Sequence, residues 1–533
     1  MATSNNRLFS ALVLVLAAAP AACSSSPAKD DPSSPDANVP VPSRDDAGNP
    51  TPGPKAPPVV GTPDASELNE SFGVFVTPSG KPGAGGTRER PLDTIQAGIE
   101  KGKALGKRVY VCAGTYREAL TLADSISVIG GLDCANAMSW KAGSSKSRVE
   151  AAASPAVRAK DIASATRIEG LDIVAPDVTE PSASSIGLLA DHAAGLTIAR
   201  SIISAGNAAD GVDGIEGIQL TLDAVAAKGG ISPIDAPCDN VTCTRAAAGS
   251  FFAWKKPLGA NGGTSICSGA PGHLGQSGGA GGSGGLLEPT TSSPVPGWNS
   301  YFGSASFAPA PGEVRSALPG GAGAAGANAA ALGALTSDGY AAAHGGAGTN
   351  GEPGFGGSGG RGFAPRVTSQ GIPADTVWRG IGGSGGGAGG CPGLAGTAGT
   401  GGGASIALAL IDSPLVIDGS QLVSRKGGTA GRGTLGSNAT AGGAAGISLS
   451  DLPTASGTAG CPGGAPGVST NGSSGPSVGI LSTGAAPTIS NDTKLTTGAG
   501  GAAIPADSRP DPTGVVRTIP ATPAGLSKDK LSL

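Results

Sequence analysis

Aromatic residues make up only 3% of this 533-residue chain, with Trp 4, Tyr 4 and Phe 9. Any core must therefore be assembled from Val, Ile, Leu and Ala. Trp140, Trp254, Trp298 and Trp378 are too few to line a long sugar-stacking groove. Histidine is scarcer, at 3, and neither His192, His273 nor His344 has a Ser or Cys nucleophile with an orienting acid nearby. A net charge of −4 gives no electrostatic footprint for nucleic acid. The apolar run Leu8 to Ala19 is too short to span a membrane. What abounds is Gly at 94 and Pro at 43, together 137 of 533 residues or about a quarter, near the level of low complexity.

At the N-terminus, Arg7 precedes that apolar run, and Pro20-Ala21-Ala22-Cys23 follows it. A charged start, a short apolar segment and small residues before a cleavage point describe an export signal over 1–23. The cysteine at the cut site resembles a bacterial lipobox, which implies a lipid anchor on Cys23 and an outer-membrane or cell-surface location. Pro20 departs from the apolar residue usual there, and the alternative is an ordinary secretory signal with Cys23 incidental. Residues 24–67 are rich in Ser, Pro, Asp and Ala and have little to bury, so they are expected to be a disordered tether. Such a tether has a reach on the order of 35–40 Å.

From Phe72 the chain changes character. A short alternating strand around Val74 and Val76 leads through a Gly/Pro loop to a helix starting near Asp93, a good N-cap residue. Ile95 and Ile99 share one helix face, Gly106 closes the helix, and a strand follows at Val109 to Val111. The set Pro91, Thr94, Ile95, Ala97, Ile99, Val109, Val111, Gly114, Tyr116 and Glu118 resembles the N-terminal cap of pectin-lyase-like proteins. That resemblance covers about 60 residues. It implies an all-β fold, a right-handed parallel β-helix (solenoid) with an N-terminal capping helix. A coil of that fold takes roughly 22–25 residues, with strands about 4.8 Å apart. Cys112 and Cys134 are 134 − 112 = 22 positions apart, so stacking sets one above the other as a disulfide staple in an oxidising compartment. Two stacked thiols without a bond are the alternative.

Internal repetition supports a stack. Segments beginning at Ser185, Ser405 and Ser477 each place an apolar strand, a turn, an Ile (Ile198, Ile417, Ile489) and a last apolar position near Ile202, Leu422 or Leu495. A weaker relative beginning at Ser154 aligns Ile168. Positions that recur once per coil would form ladders inside a solenoid. The expected organisation is then a cap and first coils over 68–204, a Gly-rich insertion over 205–403 and a coil over 404–426. A second Gly-rich insertion over 427–476, a last coil over 477–504 and a C-terminal tail over 505–533 follow.

The insertions are themselves periodic. Glycine recurs every third residue from Gly269 to Gly284, from Gly345 to Gly360 and from Gly387 to Gly402. Three residues per turn is the period of the polyproline-II-type helix. Little Pro lies between the glycines, unlike collagen. The likeness is to the Gly-rich repeat domains called PGRS, which implies polyglycine-II helices packed side by side. The alternative is a Gly/Ser/Ala spacer.

GCPG occurs at Gly390 to Gly393 and again at Gly460 to Gly463, so Cys391 with Cys461 is an expected bridge. Of the remaining Cys238, Cys243 and Cys267, the first two could close a small loop, or Cys267 could pair with either. The spacing CDNVTC has no second pair or nearby His to complete a metal site.

Catalytic groups do not assemble in the sequence. Glycoside hydrolysis needs two carboxylates across the scissile bond, and Asp412 with Asp418 carries no sign of convergence. Asp492 follows Asn491, and Asp30-Asp31 and Asp45-Asp46 lie in the tether. Arg158, Arg167, Asp161, Glu169 and Asp172 have the residue types of a β-elimination site at generic spacing, and read as outward strand positions. PGHLG around His273 lacks the second glycine of a Gly-His-Gly motif. The loop Gly83 to Gly86 has no strand–helix context for phosphate. Asp210, Asp213 and Glu216 each precede Gly and are weak Ca²⁺ candidates, with a solvated loop as the alternative.

The sequence thus reads as a non-enzymatic, exported cell-surface lipoprotein without a cofactor. Its expected role is structural, adhesive or matrix-interacting. Its expected partners are the membrane, through the anchor, and extracellular matrix, carbohydrate or other surface proteins. The alternative is a carbohydrate-binding or polysaccharide-degrading β-helix protein.

Overall fold

The computed structural model describes residues 63–135, 139–231, 258–269, 274–283, 310–316, 318–362, 382–448, 456–490, 492–512 and 514–533. It also gives the backbone of the short strands Thr242–Thr244, Leu286–Glu288, Ser304–Phe307 and Thr376–Arg379. The expected signal, its Cys23, the tether to residue 62, Cys238, His273, Trp254 and Trp298 lie outside the described residues, as do the side chains of Cys243 and Trp378. Among the described residues no helix is long and apolar enough to cross a membrane.

The protein is mostly β, with a single α-helix among the described residues. Its main body consists of one eight-stranded and two six-stranded sheets whose main strands run parallel. The chain visits the three sheets in a fixed order. Thr166–Glu169 lies in the first, Leu171–Val174 in the second and Ser185–Asp191 in the third. The cycle then repeats with Leu196–Ala199, Ile202–Ser204 and Ser405–Ile411, and again with Val416–Asp418, Gln421–Val423 and Ser477–Thr483. Both long insertions therefore leave after a strand of the second sheet and return at a strand of the third.

Register explains why the sequence repeats. In the first sheet Ile168, Ile198, Ile417 and Ile489 stack on one another. In the second, Ile173, Ile203, Leu422 and Leu495 stack, so Ile203 and not Ile202 occupies the ladder. In the third, Ser185, Ser405, Ser477 and Ser527 align, with Leu188, Leu408 and Ile480 farther along. Side chains from all three sheets meet in one buried cluster that includes Ile168, Ile198, Ile417, Ile203, Leu422, Leu188 and Leu408. Each strand buries a face, so a one-residue slip would turn its aliphatic side chains outward.

The outer face of the third sheet is also covered. Ile186, Leu189, Ile406, Ala409, Val478 and Leu481 form a second cluster with Tyr340. Tyr340 belongs to the hairpin Ala334–Thr336/Gly339–Ala341, which the long insertion contributes. Strand Ser405–Ile411 is thereby buried on both faces, as its uninterrupted apolar sequence SIALALI requires.

The helix Ile95–Leu105 abuts the first strands. Its N-cap is Thr94, not the expected Asp93: Thr94 is extended (φ −126°, ψ 144°) and its Oγ1 accepts from the Ala97 amide at 3.4 Å. The carboxylate of Glu118 accepts the Ile95 and Gln96 amides at 2.7 and 2.9 Å. Burial pushes the Glu118 carboxyl above its usual range, and those two amides partly oppose the shift. Gly106 ends the helix in the left-handed region (φ 64°). Cys112 and Cys134 are joined as a disulfide with Cα atoms 5.9 Å apart, beside Phe75, Tyr110 and Trp140. The segment 505–533, read from the sequence as a tail, carries the hairpin Asp507–Pro510/Val516–Ile519 and a last strand, Ser527–Ser532, paired with Ser477–Thr483.

Ile417→Ala should lower stability by about 2–5 kcal/mol, because it empties a fully buried rung. A urea titration followed by far-UV circular dichroism measures the loss, and Val515→Ala at an exposed position should leave the midpoint unchanged.

Candidate functional site

The glycine segments form the most unusual surface and interior of this protein. Segment 383–403 lies among neighbours and bonds to them with a three-residue period. Gly383, Gly386 and Gly389 donate to Gly282, Gly279 and Gln276, while the carbonyls of Gly383 and Gly386 accept from Ala260 and Gly263. The next row, Gly387, Gly390 and Gly393, donates to Thr458, Cys461 and Gly464 and accepts from Gly357, Gly354 and Gly351. The third row, represented by Gly385 and Ala388, donates to Gly230 and Ala227 and accepts from Gly446 and Gly443. Each of the three rows thus gives to one neighbour and takes from another. Backbone polarity that would be costly to bury is satisfied without a conventional sheet.

The spacing of the glycines follows from that packing. A Cβ on Gly389 would land on the Gly354 carbonyl, one on Gly390 on the Thr440 carbonyl, and one on Gly402 on the Gly428 carbonyl. Non-glycine residues are concentrated in one of the three rows. That row contains Ala388, Cys391, Leu394, Thr397 and Thr400, and the Thr397 and Thr400 hydroxyls accept the Ile215 and Val212 amides.

The same rule corrects the cysteine pairing. Cys391 is bonded to Cys267, with Cα atoms 5.9 Å apart, and not to Cys461, whose thiol is free and half-buried. Cys461 does lie on a neighbouring segment, since its carbonyl accepts from the Gly390 amide. Gly464 and Gly467 share its row, and a Cβ at either would meet Gly321 or Ala324. That row faces away from Cys391. Identical GCPG contexts therefore put their side chains on opposite sides of the contact.

The acids considered for Ca²⁺ have a different task. Asp210 and Asp213 accept the backbone amides of Thr429 and Arg432, each at 2.6 Å, and Asn207 and Gln219 do the same for Lys426 and Asn438. Extended chain rises roughly 3 Å per residue, so positions three apart lie on the order of 9–10 Å apart. Carboxylates on that spacing cannot share a shell whose bonds are about 2.3–2.6 Å long. No group of three metal-ligating side chains occurs among the described residues.

A charged corner sits between the first and second sheets. Arg167 Nε lies 2.5 Å from Glu169 Oε2, and Arg200 binds the other carboxylate oxygen. The Glu169 side chain is only 4% exposed and that of Arg167 10%. Burial lowers the basicity of both guanidiniums, and nearby Asp418 opposes this. Arg200 occupies the left-handed region (φ 42°) at a turn where Gly170 and Gly419 stand on either side in the stack. Its sequence gave no hint of this, because only glycine normally announces such a conformation. Both carboxylate oxygens of Glu169 are thus taken up by guanidiniums.

The other residues considered for catalysis are dispersed. Arg158 donates to the Ser337 and Asp338 carbonyls and so clamps the Tyr340 hairpin. Asp172 pairs with Arg148 at 2.7 Å on the second sheet, and Asp161 sits in a turn at φ 53°. His192 Nδ1 contacts Asp191 at 2.7 Å and its other nitrogen lies 4.0 Å from Asp412, while Asp418 belongs to the Glu169 corner. His344 Nδ1 accepts the Gly401 amide at 3.0 Å. A recess of about 440 Å³ beside the Cys112–Cys134 bridge is lined by Thr77, Asp133, Ser144 and Ser145, and Asp133 there is paired with Lys141.

Two measurements follow. Glu169→Ala should cost about 3 kcal/mol by leaving Arg167 buried and unpaired, whereas Glu70→Ala, which breaks the more exposed pair with Arg88, should cost less than about 1 kcal/mol. Gly389→Ala should open the inserts to limited proteolysis while the stacked sheets persist, and Gly85→Ala, whose nearest neighbour is 3.9 Å away, should not.

No protein-family model, curated protein or solved structure matches this chain.

Proposed function

We propose that this chain is a non-enzymatic cell-surface scaffold, exported and held to the membrane by a lipid on Cys23, with a structural, adhesive or matrix-interacting role. In this reading the three sheets are the walls of a right-handed parallel β-helix. The fixed order in which they are visited and the in-register aliphatic ladders support that reading. The right hand is the general preference of parallel crossovers. The inserts are polyglycine-II helices of the PGRS kind, supported by the three-residue hydrogen-bonding period.

The observation that carries the proposal is the hydrogen bonding of segment 383–403 on all three of its rows. Ordering so much glycine costs more backbone entropy than ordering any other residue. A chain that nevertheless locks it into a mutually bonded brace gains rigidity and a broad, regular surface. Such a surface suits contact with matrix, carbohydrate or other surface proteins.

The second reading, a carbohydrate-binding or polysaccharide-degrading β-helix protein, is favoured by the charged corner around Glu169 alone.

Radiolabelled palmitate incorporation and detergent-phase partition test the anchor, and Cys23→Ala should abolish both. Cells displaying the chain should adhere to matrix-coated surfaces, and removal of 205–403 should reduce adhesion several-fold. The purified protein should release no reducing ends or unsaturated sugars from a polysaccharide panel. Depolymerisation that is lost in Glu169→Gln would replace the scaffold reading with the enzymatic one.

A further inference from the structure

The segment 210–218 forms an edge of the glycine bundle. Its Gly211 and Gly214 amides donate to Thr429 and Arg432, and its Val212 and Ile215 amides donate to Thr400 and Thr397. The third row is open beyond Asp210, whose carbonyl accepts from Ser182. Among the described residues, neither the amides nor the carbonyls of Asp213 and Glu216 have a partner. Beside this open row stand Val212, Ile215 and Ile218, which are 49%, 75% and 61% exposed. Their three-residue spacing puts them on one line, as an aliphatic stripe.

We propose that this edge is a self-association surface, occupied by the same edge of a second copy of this chain. Two observations choose that occupant. The first is continuity with the packing inside the bundle. There, rows of this kind are completed by another glycine-rich segment, and neighbours run either way: 345–360 lies antiparallel to 384–399, while 458–473 runs parallel to 387–402. A two-fold axis presents an antiparallel copy of 210–218, which such packing accepts. The second is charge. Glu216 flanks the stripe, while the Asp213 carboxylate is held by the Arg432 amide, and Lys426 and Arg432 on the adjoining segment are exposed. A two-fold operation brings Glu216 of each copy toward the cations of the other. An anionic lipid surface would instead be repelled by the acids beside the stripe.

The surface works like an open sheet edge, with unpaired backbone groups as a template and side chains deciding the partner. The inference rests on the open backbone edge and not on the lipid anchor or the adhesive role.

Sedimentation-velocity measurements on the processed chain carrying Cys23→Ser, so that no acyl group drives association, test it across a concentration series. The expected result is a concentration-dependent dimer that Ile215→Lys converts to monomer. Glu216→Lys and Arg432→Glu should each shift the equilibrium toward monomer, and the two together should restore the dimer. Each variant is checked for unchanged protease resistance of the inserts, and Ile447→Lys serves as a control at an exposed position elsewhere on the bundle. A monomer at every concentration would overturn the proposal, as would a dimer indifferent to all three variants. Co-sedimentation with phosphatidylglycerol vesicles in place of self-association would also overturn it and assign the stripe to a membrane.

Discussion

The rest of the structure depends on register between successive passes of the chain. Ile198 stacks on Ile168, Ile417 stacks on Ile198, and nearly 220 positions of sequence separate the last pair. Two strands so distant can align only if the intervening chain leaves and re-enters at one place. It does so between the second and third sheets, and the second insertion uses the same exit. The cost of closing a long loop rises slowly with its length, so a large insertion at a fixed corner is tolerable. The buried ladders on either side supply the free energy that holds the corner together.

At that corner a second packing rule takes over. Sheets accept side chains alternating between faces, whereas the glycine segments are governed by position modulo three. One rule decides several separate observations. It explains which residues must lack a Cβ, why Thr397 and Thr400 sit together in one row, and why Asp210 and Asp213 meet amides that are themselves three residues apart. It also explains why Cys391 reaches Cys267 and turns away from Cys461. The two rules are joined physically. Tyr340 caps the outer face of the third sheet, Arg158 grips the hairpin that carries Tyr340, and the Ser184 hydroxyl donates to the Tyr340 carbonyl at 3.1 Å.

Charged residues serve the same architecture. Glu169 neutralises two guanidiniums at a turn where Arg200 holds a conformation that neighbouring passes assign to glycine. Glu118 closes the N-terminal helix by accepting two of its free amides. Both carboxylates are acceptors fixed by donors around them.

What the sequence determined by itself was whatever repeats locally. Ile168, Ile198, Ile417 and Ile489 announce a ladder because every pass must bury an aliphatic side chain at the same point. Cys112 and Cys134 announce their proximity because 22 residues is close to one pass there: Cys112 pairs with Leu132, 132 − 112 = 20 positions on, and Cys134 follows two residues later. The three-residue glycine period is legible because a missing Cβ is visible in sequence. Only the tertiary structure decided matters that depend on which neighbour a given row meets. Thr94 displaced Asp93 as helix cap, Cys267 displaced Cys461, Arg200 took a left-handed turn, and residues after 505 became strands. The cap lies one residue beyond the expected one through a local bond, whereas the cysteine pairing, the Arg200 turn and the last strands do not follow from local pattern, because which neighbour a row or strand meets is fixed by segments far away in sequence.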